Sequence, residues 1–231
     1  VDKLTSGTPQ FNDKDIQTMQ RIVGSLLWIS QSTRPDISTI TNILSSYQTK
    51  PTLNNINAAK RATTYLLNTK EKGISFSSIK APSLKTYQYF PTNQSQIFSM
   101  TDSNWGPQDQ SKPNHTVKQE LELFKTRLIS GYLIMQSGGP IAWASKRQKI
   151  TAHSMAEAEI YATDEAVKLI IHIQNIRNDL KFNQDNHPIP IFNDNQACVT
   201  WSKKTATKGL RHIQIRENSI QENIQSLLEN K

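Results

Sequence analysis

Three carboxylates stand where the chain could do chemistry: Asp102, Glu159 and Asp194. Asp102 and Asp194 each follow a short hydrophobic run that reads as a strand, Gln96 to Thr101 and Pro188 to Phe192. Two such strands side by side in one sheet bring both acids to neighbouring edges. Glu159 lies in a long helical segment, from about Met155 to Leu180, whose apolar stripe is Ala162, Ala166, Leu169, Ile173, Ile176 and Leu180. At about 100° per residue, Glu159 falls roughly 50° from the centre of that stripe and Glu157 roughly 150° from it. Glu157 is therefore expected on the solvent side, completing a capping-box pattern with Ser154. Glu159 is expected at the margin of the core, where an unpartnered carboxylate is costly. Three acids from two strands and one helix repel one another unless cations bind, and oxygen ligands suit hard ions such as Mg²⁺ or Mn²⁺. Each acid also has a plainer reading. Asp102 could be a turn residue, Asp194 the N-cap of a short helix, and Glu159 the partner of a lysine.

Other reactive patterns are absent. No His/Cys spacing suggests zinc, and no Ser or Cys nucleophile motif or Gly-rich phosphate loop is present. His153 precedes the helix cap, and His172 reads as a packing residue near the apolar side of the long helix. His212 sits in a basic stretch where it could meet phosphate or substrate.

The elements that must position the acids follow from the pattern of the chain. Residues 1–16 are polar and read as a linker. Residues 17–77 read as helical, with Ile22, Leu26 and Ile29 at helical spacing and Trp28 adding bulk. Arg34-Pro35 breaks the first helix, Asp36 could cap the next, and Ala58, Ala62, Tyr65 and Leu66 form the stripe of a third. Residues 78–95 are rich in Ser, Pro, Thr and Gln and mark a boundary. The remainder, 96–231, reads as strand, strand, strand, helix, strand, helix, helix. Ile129 to Gln136 and Ile141 to Ser145 make a hairpin around Ser137-Gly138-Gly139-Pro140. Residues 107–126 look like an insertion, and Gln196 to Lys203 and Ile213 to Leu228 are the last two helices. The fold class expected is mixed α/β: a mixed sheet flanked by helices, preceded by a small helical unit.

Composition narrows the setting. The chain has 231 residues, 35% hydrophobic and 20% charged, too apolar for a disordered chain. Its net charge of +8 suits a polyanion. No run of about 18 apolar residues exists, so no membrane span is expected. The single cysteine, Cys198, excludes an internal disulfide and points to an intracellular setting.

Linked motifs in this order carry a family resemblance. Ser154-Met155-Ala156-Glu157-Ala158-Glu159-Ile160-Tyr161-Ala162 resembles an S-x-x-E-A-E-Y-x-A signature. Thr101-Asp102-Ser103-Asn104-Trp105 resembles a D-x-x-W element, and Asn193-Asp194-Asn195-Gln196-Ala197 a C-D-N-Q-[SA] element. The hairpin, with Ala144-Ser145-Lys146-Arg147-Gln148, and the upstream Thr33-Arg34-Pro35-Asp36-Ile37 also match. From about residue 17 to 224 the chain resembles the C-terminal connection and RNase H region of the Pol polyprotein of copia-type LTR retrotransposons. The resemblance implies an RNase H-like fold with a five-stranded sheet and Mg²⁺-dependent cleavage of RNA in RNA–DNA hybrids. It makes Asp102, Glu159 and Asp194 three catalytic, metal-holding acids. Lys146, Arg147, Lys149, Lys203, Lys204 and His212 would hold nucleic acid. The polymerase region of the same polyprotein would be a partner, and the location a cytoplasmic element particle, with the nucleus as the other compartment. The sequence sets no oligomeric state.

Four departures stand against the family pattern. The family continues into a fifth strand and an A-D-x-x-T-K-P-L motif that supplies a fourth carboxylate, whereas this sequence reaches Lys231 without it. Glu217 and Glu222 are near in sequence only. Gln214 replaces the acid of K-H-I-D-I-R, and the 107–126 loop is long. The polymerase's paired aspartates are absent. An alternative therefore stays open: a module that keeps the fold and binds nucleic acid or a protein without cleaving.

Overall fold

The computed structural model describes residues 13–76, 97–104, 128–149, 154–182, 189–201 and Ile220. Of the linker expected at 1–16, residues 13–16 instead begin the first helix, and residues 1–12 lie outside the described residues, as do the linker at 78–95, the 107–126 insertion, most of the last helix, and Glu217 and Glu222. The chain divides into two compact units, Val1–Ser75 and Phe76–Lys231. No helix among the described residues is long and apolar enough to cross a membrane.

The first unit is helical. Helix α1 (Asp13–Ser32) starts with Asp13 and Asp15 at its positive end. Its buried row is Met19, Val23, Leu26 and Ser30, at steps of four and three. The expected row of Ile22, Leu26 and Ile29 is therefore rotated, and Trp28 is 73% exposed rather than packed. A 3-10 turn (Pro35–Ile37) follows the Arg34-Pro35 break and leads into α2 (Ser38–Ser45). Asp36 does not cap that helix, because its carboxylate is taken. Arg34 donates to both its oxygens, Nε to Oδ1 at 2.9 Å and Nη2 to Oδ2 at 2.7 Å, and the Tyr65 hydroxyl donates to Oδ2 at 2.8 Å. Helix α3 (Leu53–Asn68) opens on a capping box. Thr52 Oγ1 accepts from the Asn55 N–H, and Asn55 Oδ1 accepts from the Thr52 N–H. Val23, Leu26, Ile37, Leu44, Ile56 and Ala59 close the core of this unit.

The second unit is a mixed α/β structure. Its strands are β1 (Phe98–Asn104), β2 (Ile129–Gln136), β3 (Gly139–Arg147) and β4 (Ile191–Asn193), in the order β3-β2-β1-β4. β1 pairs antiparallel with β2 and parallel with β4, and β2 pairs antiparallel with β3. Helices α4 (Met155–Asp179) and α5 (Gln196–Trp201) flank this four-stranded sheet, consistent with an RNase H-like fold. The fifth strand implied by the resemblance is not among the described residues.

Several boundaries differ from the sequence reading for identifiable reasons. The hairpin turn is only Ser137-Gly138, with φ of 51° and 75°. Two successive positive-φ residues match the right-handed twist of a hairpin, so Gly139 and Pro140 are released into β3. β1 continues through Asp102 to Asn104 because Asp102 pairs with Gly131 and Asn104 with Ile129. Asp102 is thus inside a strand, not beyond its end. Helix α4 begins as expected, with Ser154 Oγ accepting from the Glu157 N–H at 3.1 Å. Its burial is broader than one stripe. Ile160 and Val167 pack with Cys198 and Ile220, while Ile170 packs with Ile97 and Ile134 of the sheet side. A single stripe presumes one neighbour, and α4 has two. Glu157 is consequently buried rather than solvent-facing. Towards the other end, Ile176, Leu180 and His172 are exposed, against the packing expected of them.

Candidate metal centre

The parallel pairing of β1 with β4 builds the site. Thr101 is the register partner of Asn193, so the next residues, Asp102 and Asp194, leave the pair side by side. Glu159 reaches them from the second turn of α4. One carboxylate oxygen from each of the three lies within 4.8 Å of those of the other two. Asp102 and Asp194 are exposed, whereas Glu159 is only 5% exposed.

Both Glu159 oxygens are held by the sheet. Oε1 accepts from the Ser103 N–H at 3.0 Å and Oε2 from Asn193 Nδ2 at 2.9 Å. Beneath them, Thr101 Oγ1 meets Thr163 Oγ1 at 3.2 Å, tying β1 to α4. Burial pushes the Glu159 carboxyl above its ordinary range. The Asn193 hydrogen bond opposes this, the Asp102 charge adds to it, and the Ser103 N–H and the Asp194 charge follow with opposite signs. The pocket therefore prefers less negative charge than its three acids carry.

The plainer roles are filled by other residues. Asn195, not Asp194, caps α5: its Oδ1 accepts from the Ala197 N–H at 2.9 Å and the Cys198 N–H at 3.2 Å. The lysine of this helix, Lys168, lies on the face opposite Glu159 and pairs with Asp164 at 2.7 Å. Three oxygen donors, one buried and unfavourably charged, fit a hard divalent cation such as Mg²⁺ or Mn²⁺.

The basic residues are placed in part. Lys146 sits opposite Ser130, which in turn sits opposite Ser103, the residue after Asp102. Lys146 is exposed at the same end of the sheet as Asp102, two strand spacings or about 10 Å across. Arg147 ends β3 and is half-buried, and Lys149 is exposed just beyond it. Lys203, Lys204, His153 and His212 lie outside the described residues. The sequence reading singled out none of the groups that hold Glu159. The Ser103 donor is a backbone N–H with no signature. Asn193 and Gln148 stood within quoted motifs, but a lone amide has no spacing to mark it. Gln148 Nε2 donates to Ser130 Oγ at 2.7 Å and to the Ala158 carbonyl at 2.9 Å, joining β2 to the start of α4.

The chain is similar in sequence to retrotransposon Pol polyproteins. The chain is 28% identical over 206 residues to the retrovirus-related Pol polyprotein from transposon RE2 of Arabidopsis thaliana, 89% of this chain and 12% of that protein. It is 28% identical over 201 residues to the Pol polyprotein from transposon TNT 1-94 of Nicotiana tabacum, 87% of this chain and 13% of that one. The chain thus spans about an eighth of the length of these polyproteins. It is also 27% identical over 146 residues to secreted RxLR effector protein 161 of Plasmopara viticola, covering 84% of that protein. No family profile and no solved structure matches the chain.

Proposed function

We propose that the Phe76–Lys231 unit is an RNase H-type endonuclease of a copia-type retrotransposon, cleaving the RNA strand of RNA–DNA hybrids during reverse transcription. The observation that carries this reading is the meeting of Asp102, Glu159 and Asp194 beside a parallel β1–β4 pair. These three acids would hold Mg²⁺, or Mn²⁺ in its place. Bound there, divalent cations supply Lewis-acid activation of the attacking water and offset the charge that builds on the phosphate and leaving oxygen. The chain's own residues do the rest. The Ser103 N–H and Asn193 hold Glu159 in place before substrate arrives. Lys146, Arg147 and Lys149 contact backbone phosphates, which position a duplex without reading its sequence. Selection of a hybrid rests on its shape and the 2′-hydroxyls of its RNA strand. The polymerase region of the same polyprotein is the natural partner, within a cytoplasmic particle or the nucleus.

The similarity to a secreted effector favours a second reading, in which the fold persists as a binding module without cleavage. Cleavage of a labelled RNA–DNA hybrid in Mg²⁺ and in Mn²⁺ decides between them. The nuclease reading expects RNA-strand cuts that fall more than about 100-fold in Asp102→Asn, since even partners of metal ligands cost about 10- to 100-fold. A folded chain that leaves the hybrid intact in both metals refutes the nuclease and leaves the binding module.

A further inference from the structure

Asn193 ends β4, and its side-chain amide touches two of the three acid-bearing segments at once. Nδ2 donates to Glu159 Oε2 at 2.9 Å and to Thr101 Oγ1 at 3.0 Å, so its two protons are both used. Oδ1 accepts from the Asn195 N–H at 2.8 Å, closing a turn around Asp194. One planar group thus links the α4 carboxylate to the backbone on the far side of Asp194. Through Thr101 it is also anchored to the residue that precedes Asp102. We infer that Asn193 is a positioning residue that fixes the separation of Glu159 and Asp194 before a cation binds. The inference rests on the metal-centre reading above.

The residue type fits this task closely. Aspartate would keep the Asn195 contact but set a like charge against Glu159. Leucine has the volume but neither donor nor acceptor. Serine, threonine and cysteine are too short to span both contacts. Lysine or arginine would neutralise the cluster and compete with the cation. A neutral amide holds the carboxylate without discharging it.

The test is Mn²⁺ binding by the whole chain, followed by titration calorimetry and by the Mn²⁺ electron paramagnetic resonance line shape. Asn193→Leu is the size-matched variant, and Asn193→Ala relieves any crowding that Leu introduces. Both are expected to stay folded in EDTA and to bind Mn²⁺ about 10- to 100-fold more weakly, the usual cost of losing a partner of a ligand. Their bound spectra should be broader, because the ligand oxygens are no longer held at one spacing. Unchanged affinity and line shape in a folded variant overturn the positioning role alone. Failure of both variants to fold also overturns it, making Asn193 a structural residue. Failure of the unaltered chain to bind Mn²⁺ overturns the metal centre itself, and the positioning role with it.

Discussion

Replacing Glu159 by glutamine should make the protein more stable without divalent cations and less stable with them. The magnitude follows from the site. Oxygens of Glu159, Asp102 and Asp194 lie within 4.8 Å of one another. A like-charge pair at that distance costs about 1 kcal/mol at the dielectric of water and about 3 kcal/mol at an effective value of about 20. Asp102 and Asp194 are open to solvent, so the lower figure applies, giving about 2 kcal/mol for the two pairs that include Glu159. Glutamine keeps an oxygen for the Ser103 N–H but turns an N–H towards Asn193 Nδ2, which costs about 1 kcal/mol. The net gain is about 1 kcal/mol, or about 2–4 °C in the unfolding midpoint for a chain of this size. Mn²⁺ at a hundred times its dissociation constant adds about 2.7 kcal/mol to the unaltered chain and little to the variant. The order of the two midpoints should therefore cross between EDTA and Mn²⁺. Thermal unfolding followed by near-UV circular dichroism measures both. A variant less stable than its parent in EDTA would show that the acids do not oppose folding. A variant that gains as much from Mn²⁺ as its parent would place the cation elsewhere.

Three further outcomes follow from groups outside the acid cluster. The Arg34 guanidinium, with help from the Tyr65 hydroxyl, holds the Asp36 carboxyl down to about 2 from 3.8. A lowered acid stabilises above its unfolded value and loses that contribution as pH falls from about 4 to about 2. Asp36 is partly exposed, so screening reduces the contribution to about 1 kcal/mol. Asp36→Asn should be less stable than its parent near pH 6 and equal to it near pH 2 by far-UV circular dichroism, and a gap that persists in acid refutes the assignment. Gln148→Leu should lose about 2 kcal/mol in urea unfolding, because Ser130 Oγ and the Ala158 carbonyl lose a buried donor. A loss near zero would mean that these groups find other partners. Gly138 has φ of 75° and open space where a Cβ would stand, so Gly138→Ala should cost about 1 kcal/mol from backbone strain alone. Gly138→Asn should recover part of this, and equal stability of all three forms would contradict the turn geometry.

How much of this was legible in the sequence depends on the range of the interaction involved. Local patterns read well. Ser154 caps α4 within its own first turn, and the strands that begin at Ile129 and include Ile191 follow from short apolar runs. Glu159 was found because its angle on one helix needs no knowledge of other elements. Glu157 was misplaced by the same arithmetic, since its burial comes from a neighbour that helix periodicity cannot see. Asp36 is misread for a different reason: its main partner, Arg34, stands only two residues away, but a carboxylate after Arg-Pro reads equally well as a cap, and the Tyr65 hydroxyl that completes the group is 29 residues away. Asp102 looked like a strand end because a carboxylate breaks an apolar run, yet its strand continues on pairing with β2. The amide of Asn193 is illegible altogether, because its value lies in three elements, β1, β4 and α4, meeting at one point.

That meeting also explains why the site sits where it does. An acid cluster opposes folding, so it is tolerated only where well-formed elements fix its members independently. Asp102 is fixed by β1, paired on both sides, and Asp194 by the pairing of β4 with β1 together with the Asn193 turn. Glu159 is fixed by a 25-residue helix held to the sheet through Thr163 and Gln148. The backbone positions of the three do not depend on one another, so their repulsion can turn the exposed Asp102 and Asp194 side chains but cannot part the backbone without breaking a strand pair or moving a long helix. A cation can then relieve that repulsion without the protein first having to gather its ligands. The stability the fold gives up to keep three acids together becomes binding free energy for the cation.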